Sequence, residues 1–282
     1  MAKRKLIFLT GWKYYNHALL RDCAPHEDTP IIINNNVFQG GTAILAKWTS
    51  NWDCEQQTEW WYCIKDTPFE KEKLKSKRRY IINKAEKNFY CIRITNIEKY
   101  INELFAVQKL AFSDYPASYR PKNLSLVNLK KELVGSNKVV YAAFDRETNK
   151  LGGYAILTEH DTWIELSAVK VDPKEEKKQI NAALINEILV DNSEKLANGI
   201  YISDGERNIN HITNFQNYLV KYFQFRFAYC HLNVLYRFPI NILIKVIYPI
   251  KKVFQPLDKI SIIHKVNSIM KMEKIRRSFR EM

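Results

Sequence analysis

The spacing of apolar residues changes along the chain, and each change predicts a different secondary structure. In the first 64 residues, short apolar runs alternate with polar stretches such as Asn34-Asn-Asn36, a pattern typical of β-strands. The predicted strands are 6–9, 30–33, 42–48 and 60–64. From Pro68 to Phe89 the apolar residues recur at helical spacing, so we expect a strongly basic helix there.

Strands and helices alternate in the remainder of the chain up to residue 236. We expect strands over 90–94, 138–145, 151–158, 162–171 and 199–203, and a strand pair over 226–236. We expect helices over 97–112, 125–133, 176–191 and 208–222. This alternation is typical of an α/β protein built on a sheet flanked by helices.

Length and composition support a globular protein with more than one compact part. The chain has 282 residues, of which 46% are hydrophobic, so it can bury a substantial core. Its eight glycines and nine prolines form no run that would serve as a flexible linker. We therefore expect one domain of enzyme size and a smaller portion packed against it.

The net charge of +14 is unevenly distributed. Residues 1–95 carry +6, residues 96–230 are neutral overall, and residues 231–282 carry +8. This distribution predicts that any polyanionic partner is met by the two flanks, although basic surfaces also serve solubility alone.

Cysteine and histidine spacing excludes two common kinds of site. The five cysteines form no CxxC pair and no cluster with the six histidines, so we expect neither a structural metal nor a disulfide framework.

The apolar stretch Leu6–Leu9 is too short for a signal-peptide core, and no apolar run has the length of a membrane span. We therefore expect a cytoplasmic protein.

The last part of the chain, residues 237–282, is both basic and apolar. Ile262, Val266, Ile269 and Met270 lie on one face of a helix predicted over 258–280, with lysines and arginines around them. Such a helix can lie on an anionic membrane surface, and it can equally dock onto the protein's own surface. Both alternatives stay open at this point.

Two segments resemble the GNAT superfamily of acyl-CoA N-acyltransferases. The first is similar to that family's coenzyme A strand, loop and helix and reads Val171-Asp-Pro-Lys-Glu-Glu-Lys-Lys-Gln-Ile-Asn-Ala-Ala-Leu184. The second is similar to its final helix and turn and reads Asn214-Phe-Gln-Asn-Tyr-Leu-Val-Lys-Tyr-Phe-Gln-Phe225. The resemblance covers about residues 138–236 and implies a GNAT-like mixed central sheet flanked by helices, with acyl-CoA, most simply acetyl-CoA, as the donor.

A third segment, residues 75–89, resembles the basic helix of the FemAB-type peptidyltransferases, which are built from two GNAT-like halves. That resemblance implies three portions: a FemAB-like or degenerate GNAT-like portion over 1–95, a GNAT-like domain over 96–236 and the basic tail over 237–282. It also offers aminoacyl-tRNA as an alternative donor, which basic flanks would suit. The same basic pattern is common on solvated helix faces.

The chain departs from the GNAT pattern where the family's loop wraps the pyrophosphate. Glu176, Gln179 and Asn181 stand where the family has arginine or glutamine followed by two glycines. Glycine is useful there because backbone N–H groups must approach the phosphates closely. The start of the helix still offers N–H donors, and Lys177 and Lys178 add positive charge.

The resemblance implies specific residues for each part of acyl transfer. The predicted donor-binding residues are Ser167, Val169, Lys170, Val171, Lys177, Lys178, Gln179, Asn181 and Asn214. Glu165 is the candidate general base, because Ile164, Leu166 and Ala168 form the apolar face of its strand and leave Glu165 on the other side. The candidate acid for the leaving thiolate is Tyr222, and Tyr218 could serve instead.

A polar stretch follows the strand predicted over 199–203, where α/β sheets place their ligands. The candidate acceptor-binding residues are Asp204, Arg207 and His211, with Arg78 and Arg79 of the basic helix. We expect the strands to separate near Val169 and Tyr201, so that an extended donor can enter between them.

The sequence therefore predicts an acyltransferase acting on an amino group, with no metal. We expect the acceptor to be an activated or lipid-linked sugar of cell-surface polysaccharide, and the enzyme to be cytoplasmic or held on the inner face of the membrane. Two alternatives stay open. One is an aminoacyl-tRNA-dependent transferase, and the other is a non-catalytic binding protein on a degenerate GNAT fold.

Overall fold

A computed structural model describes residues 11–27, 35–39, 41–113, 115, 120–121, 123–209, 214–258 and 260–279. The strands predicted over 6–9 and 30–33 lie outside these ranges. The chain divides into two compact units, each described by itself below. The first comprises Met1–Tyr62, Glu206–Thr213 and Phe227–Met282, and the second comprises Cys63–Gly205 and Asn214–Arg226.

Eleven strands and eight α-helices are found in the described ranges, together with short 3-10 helices. The strands are β1 Trp12–Tyr15, β2 Ala18–Arg21, β3 Leu45–Ser50, β4 Trp61–Lys65, β5 Phe89–Ile94, β6 Lys138–Asp145, β7 Leu151–Glu159, β8 Trp163–Val171, β9 Tyr201–Glu206, β10 Arg226–Tyr229 and β11 His231–Tyr236. The helices are α1 Ser76–Asn88, α2 Ile97–Ser113, α3 Leu126–Leu133, α4 Ile180–Asp191, α5 Ser193–Ala197, α6 Asn214–Phe223, α7 Ile240–Ile247 and α8 Ser261–Ser278.

The first unit contains a four-stranded sheet in the order β1-β2-β3-β11. Strands β1 and β2 are antiparallel, β2 and β3 are parallel, and β11 is antiparallel to β3 along its whole length. Its core is closed by the end of the chain, because Met270, Met272 and Ile275 of α8 are buried in one cluster with residues of β11. One face of the predicted tail helix therefore docks onto the tail's own unit.

This arrangement corrects two expectations. The strand pair predicted over 226–236 does not form, because β10 belongs to a seven-stranded sheet whereas β11 pairs with β3. The units also differ from the predicted portions 1–95, 96–236 and 237–282. Pairing of β11 with β3 joins the tail to the N-terminal strands in one unit, and the basic helix α1 belongs to the other unit.

The seven-stranded sheet has the order β10-β4-β9-β8-β7-β6-β5. Strands β5 to β8 are successively antiparallel, whereas β8 and β9 are parallel. Helices α2 and α3 cover one face through a core that includes Leu104, Leu129 and Ile156. The predicted α/β class with a mixed central sheet flanked by helices is confirmed.

Helix α4 packs on the other face of this sheet and is itself covered by α1. Eight of its twelve residues are buried, which explains why its sequence is apolar on nearly every side. Glu86 of α1 ties the two helices together, since it accepts hydrogen bonds from Asn186 of α4 at 3.2 Å and from Lys71 at 2.7 Å.

Two consecutive glycines in β7 allow α4 to begin close to the sheet. A Cβ at Gly152 would lie 2.9 Å from Cδ1 of Ile180. A Cβ at Gly153 would lie 2.8 Å from Cγ1 of Val171 and 3.2 Å from the carbonyl oxygen of Lys170. Real Cβ atoms essentially never come within 3.0 Å of another atom, so a larger residue at Gly152 or Gly153 requires side chains of α4 or β8 to shift.

None of the helices described combines the length and apolar character needed to cross a bilayer.

We predict that Gly153→Ala destabilises the protein by about 1–3 kcal/mol, because overpacking at this point displaces β8 or α4. Chemical denaturation followed by circular dichroism measures the loss. Gly41→Ala is the matched control, since no atom lies within 4 Å of the added methyl group there. Equal effects of the two substitutions would contradict the close packing of α4 on β7.

Candidate active site

The parallel strands β8 and β9 pair only at their beginnings. Cα partners run from Trp163↔Tyr201 to Glu165↔Ser203, and the ladder ends there, although β8 continues to Val171. Beyond Glu165, the edge of β8 on the β9 side therefore has no strand partner within the described chain. The expected separation of the strands is present, and it places Val169 in the open part and Tyr201 in the paired part.

Local hydrogen bonds in β9 explain why the ladder stops. The hydroxyl oxygen of Ser203 accepts the N–H of Gly205 at 3.0 Å, and Gln216 of α6 donates to the Gly205 carbonyl at 3.3 Å. Gly205 has φ +88°, a conformation that favours glycine. The N–H and carbonyl groups of Gly205 therefore have hydrogen-bond partners that are not on β8.

A β-bulge lies on β8 at the same opening. Ile156 of β7 is opposite Ala168 and Leu157 is opposite Leu166, so Ser167 is an extra residue without a partner on β7. Its hydroxyl group lies 2.9 Å from that of Thr158. Bulges bend a strand and turn its backbone groups, and they are frequent beside active sites.

The bulge corrects the expectation that Ile164, Leu166 and Ala168 share one apolar face. Ala168 packs with the α2 and α3 core, together with its partner Ile156. Leu166 is opposite Leu157, which alternates with Ile156 and points to the other face. The extra residue therefore reverses the alternation in the middle of β8, which sequence spacing does not reveal.

The segment before α4 makes a tight turn without a glycine. Asp172 caps a 3-10 helix, Pro173–Lys178, by accepting the N–H of Lys174 at 3.0 Å. Gln179 follows with φ 73° and ψ 36°, in the left-handed region, and α4 begins at Ile180. The left-handed conformation costs a non-glycine residue about 1–2 kcal/mol, so the surrounding packing must hold Gln179 in it.

The two lysines of this loop are in different environments. Lys178 forms ion pairs with Asp145 at 2.7 Å and Glu175 at 3.0 Å. The hydrogen bond from Lys178 lowers the pKa of Asp145 to about 2, and the same pair raises the pKa of Lys178. Lys178 therefore neutralises carboxylates of its own unit, whereas Lys177 is exposed and has no ion pair within the described chain.

Helix α1 supplies further positive charge beside the loop. Lys84 donates to the carbonyl oxygen of Lys177 at 3.1 Å, and Asn88 donates to that of Lys178 at 3.0 Å. Arg78 and Arg79 lie nearer the start of α1, and Arg79 donates to the carbonyl oxygen of Glu72 at 3.0 Å. Lys84 was not among the predicted site residues, because a basic helix does not reveal which of its lysines meets the loop.

Asp204 follows directly on the last paired residue of β9 and has an unusual acidity. Burial raises the pKa of its carboxyl group to about 7, and a hydrogen bond with Gln216 opposes that shift. The nearby carboxylate and burial together raise the pKa of the Cys63 thiol. A carboxyl group with a pKa near 7 can take or give a proton at neutral pH, a role beyond the acceptor binding predicted for Asp204.

Glu165 and Asp204 lie on opposite faces of the sheet. Glu165 is the partner of Ser203, and side chains alternate along a strand, so Asp204 points to the face that Glu165 leaves. Gln216 places α6 on the Asp204 side. The carboxyl groups of Glu165 and Asp204 therefore lie next to the opening on opposite faces of the sheet.

The tyrosines of α6 form a stripe along the helix. Tyr218 contacts Phe215, Tyr222 and Phe223, and its ring centroid lies 5.1 Å from that of Tyr222. Burial raises the pKa of Tyr218, so its phenol group stays protonated at neutral pH. Neither tyrosine hydroxyl group forms a hydrogen bond with another described residue, and both are therefore available to donate one.

The remaining predicted residues have local partners or lie at the edge of the site. Lys170 lies over the Phe112 ring at 4.3 Å on the α2 face, where burial lowers its pKa. Arg207 belongs to the first unit, where it forms an ion pair with Glu59 at 3.6 Å and lies over the Trp61 ring. Asn214 and Asn181 are the first residue of α6 and the second of α4.

His211 lies outside the described residues. Among those that are described, no group of three metal-binding side chains is found.

Comparison with known proteins gives only distant structural likenesses. No family model matches the chain, and no curated protein matches it. L-PGS from Bacillus licheniformis is 12% identical with a TM-score of 0.43, over 71% of this chain and 65% of that chain. A GNAT family acetyltransferase from Staphylococcus aureus is 19% identical with a TM-score of 0.33, over 47% of this chain and 81% of that chain.

A tandem GNAT protein from the clavulanic acid biosynthesis pathway is 11% identical with a TM-score of 0.36, over 69% of this chain and 65% of that chain. The chain thus spans just under two thirds of this protein and of L-PGS. Values this low do not place the chain in a family.

We predict that Asp204→Asn stabilises the protein increasingly as the pH rises. The unfolded carboxyl group ionises near pH 4, whereas the folded one keeps its proton up to about pH 7, so the folded state loses stability between these values. Asparagine does not ionise and removes this loss, which amounts to up to about 4 kcal/mol above pH 7. Urea denaturation at pH 5, 6, 7 and 8 measures the difference.

The exposed Asp161→Asn serves as control for the removal of a carboxylate elsewhere. A stability difference for Asp204→Asn that does not grow with pH would show that the carboxyl group ionises normally.

Proposed function

We propose that this protein is an acyltransferase that moves an acyl group from acyl-CoA to an amino group. The observation that supports the proposal most directly is the opening between β8 and β9. An extended donor arm can add to the free edge of β8 as a further strand, through hydrogen bonds to main-chain groups of residues 166–171. The bulge at Ser167 turns backbone groups toward the point where a thioester carbonyl would lie, and such groups can stabilise a developing oxyanion.

The charges near α4 suit the anionic end of such a donor. Lys177, Lys84 and the N–H groups of the first turn of α4 would meet the pyrophosphate. Lys178 is neutralised by its carboxylate partners, so the backbone of the Gln179 turn and the other two lysines carry most of this role.

Proton transfer is assigned to residues on each side of the opening. Glu165, directly or through water, takes a proton from the amine as its nitrogen attacks the carbonyl carbon. The carbon–sulfur bond then breaks, and Tyr222 or Tyr218 gives a proton to the departing thiolate. The products are an amide and a free thiol, so one proton passes in net terms from the amine to sulfur.

The acceptor we propose is an activated or lipid-linked amino sugar used in cell-surface polysaccharide assembly. Asp204, at the mouth of the opening, can bind an ammonium group or sugar hydroxyl groups. Asp204 can also replace Glu165 as the proton acceptor, because its pKa lies close to neutral pH.

Aminoacyl-tRNA is the second candidate donor, and one observation favours it. Lys77 and Lys87 of α1 are exposed, as is Lys75 directly before this helix, which contacts the α4 loop. A basic surface of this kind binds a nucleic acid backbone. The FemAB-like identity of this portion stays a prediction.

We predict that acetyl-CoA raises the melting temperature by at least about 2 °C at saturating concentration, since a ligand that binds only the folded state stabilises it. Lys177→Gln should weaken this effect about three- to ten-fold in apparent affinity, because it removes a charge beside the α4 turn. Lys150→Gln, at the exposed β6–β7 turn, is the matched control. Thermal shift titrations measure both.

The same titration decides between the donors. A shift with aminoacyl-tRNA that weakens with salt, and none with acetyl-CoA, would replace the proposal with the tRNA-dependent reaction. No shift with either donor would leave a non-catalytic protein.

We predict that Glu165→Gln lowers kcat by about 100-fold and that Tyr222→Phe lowers it about 10-fold or more, with little change in donor affinity. The assay follows thiol release from acetyl-CoA with a UDP-linked amino sugar as acceptor. The exposed Glu147→Gln and Tyr15→Phe control for loss of a carboxylate or a phenol elsewhere.

If Glu165→Gln keeps full activity and Asp204→Asn loses it, Asp204 is the base. If neither substitution lowers kcat, the assignment of the acid and base residues is wrong.

A further inference from the structure

Exposed apolar side chains are concentrated in one segment of the first unit. Nine of the sixteen large hydrophobic residues that are exposed in the described chain fall within 25 positions. These nine are Phe238, Ile242, Leu243, Val246, Ile250, Val253, Leu257, Ile260 and Ile262. We call residues 237–262 the apolar segment. An exposed group of this kind marks an interaction surface in a soluble domain.

Helix α7 shows why these residues have no place in the core. Of its apolar residues, Ile244 is buried in the cluster with β11, whereas Ile242, Leu243 and Val246 face solvent. A helix that needs only to cover its own sheet has one apolar face and one polar face. Here the outer face of α7 is apolar as well.

The charged residues of the apolar segment up to Leu257 are all basic. Arg237, Lys245, Lys251 and Lys252 lie among the exposed aliphatic residues, and no acidic residue occurs from 237 to 257. At eight residues, α7 is about 12 Å long, much less than the roughly 30 Å of a bilayer's hydrocarbon core. These properties suit a segment that lies in the plane of an anionic membrane surface.

A pocket of about 260 Å³ lies between the apolar segment and α8. Lys251, Lys271 and Lys274 line it, together with Asp258 and the buried Asn267. Asn267 donates to one carboxylate oxygen of Asp258 at 2.7 Å, and His264 lies 3.0 Å from the other. The Asp258 carboxylate is thus occupied by its neighbours. Lys274 lies 3.5 Å from the Glu59 carboxylate, so the positive charge of the pocket comes chiefly from Lys251 and Lys271.

We propose that the apolar segment docks this protein onto an anionic phospholipid bilayer, with the lysine pocket receiving a headgroup phosphate. The aliphatic side chains enter the boundary between headgroups and acyl chains, while the lysines meet the phosphates. A second copy of the chain fits the surface less well. Two such segments would bring like charges together, and no carboxylate within 237–257 would balance them.

The test is flotation of the full chain with phosphatidylcholine vesicles and with vesicles containing 30% phosphatidylglycerol. We expect binding to the anionic vesicles only, weakening as salt is raised. Val246→Asp with Val253→Asp should reduce the partition coefficient at least about ten-fold, because each places a carboxylate where an exposed valine enters the bilayer.

The matched control is Val127→Asp with Val190→Asp. These valines are 61% and 60% exposed, against 63% for Val246 and 66% for Val253, and the change of charge is the same. A second pair compares Lys251, Lys271 and Lys274 changed to Gln with Lys99, Lys131 and Lys150 changed to Gln. Only the first set of substitutions should lower binding to the anionic vesicles. Inorganic phosphate should not displace the protein from these vesicles if the bilayer is the ligand.

Several results would overturn the proposal. They are absence of binding to anionic vesicles, equal loss in the control variants, and a concentration-dependent dimer that Val246→Asp abolishes in analytical ultracentrifugation. Circular dichroism and melting temperature show whether each variant is folded. Vesicle binding does not depend on the acetyl-CoA thermal shift, so the failure of one proposal is distinguishable from the failure of the other.

Discussion

Backbone hydrogen bonding at one point in the large sheet determines what the second unit can do. Strands β8 and β9 pair up to Glu165 and Ser203 and no further. Past that point the groups of β9 are satisfied by the Ser203 hydroxyl group and by Gln216, whereas β8 keeps an open edge. A buried strand edge must find a partner or water, so a strand left open between two helical layers is poised to accept an extended ligand. The bulge, the α4 turn and the two carboxyl groups matter because they surround this opening.

Much of the second unit follows from sequence pattern. Alternation and helical spacing locate β5 to β9 and α2, α3 and α4 to within about four residues at each end, since these elements are long and strongly patterned. Helix α6 begins at Asn214, later than its predicted start at 208. Pairings between distant segments are not recorded in local patterns. Local pattern predicts that strand β11 pairs with β10, its neighbour in sequence. Instead it pairs with β3, nearly 200 residues earlier. Prediction of the domain bounds fails for the same reason.

The site is harder to predict than the fold because its details are departures from pattern. A bulge at Ser167 changes the face of Ala168 without any unusual residue. A glutamine at position 179 does not predict a left-handed turn, yet Gln179 has φ 73°. The sequence predicts Lys178 as a donor-binding residue, but Lys178 pairs with Asp145, which lies 33 residues earlier in the chain. The near-neutral pKa of Asp204 depends on its burial against α6, which no motif marks.

The two proposals rest on the same physical argument applied to different groups. Beyond Glu165, β8 has no strand partner on its β9 side in the described chain, and the apolar segment exposes aliphatic side chains to water. By contrast, Met270 and Ile275 of α8 are buried in the core of the first unit, and Lys178 pairs with the Asp145 carboxylate. Shape and charge are the basis for the ligand proposed in each case. A strand edge beside a helix N-terminus favours an extended anionic donor, and a lysine-rich aliphatic surface favours an anionic bilayer.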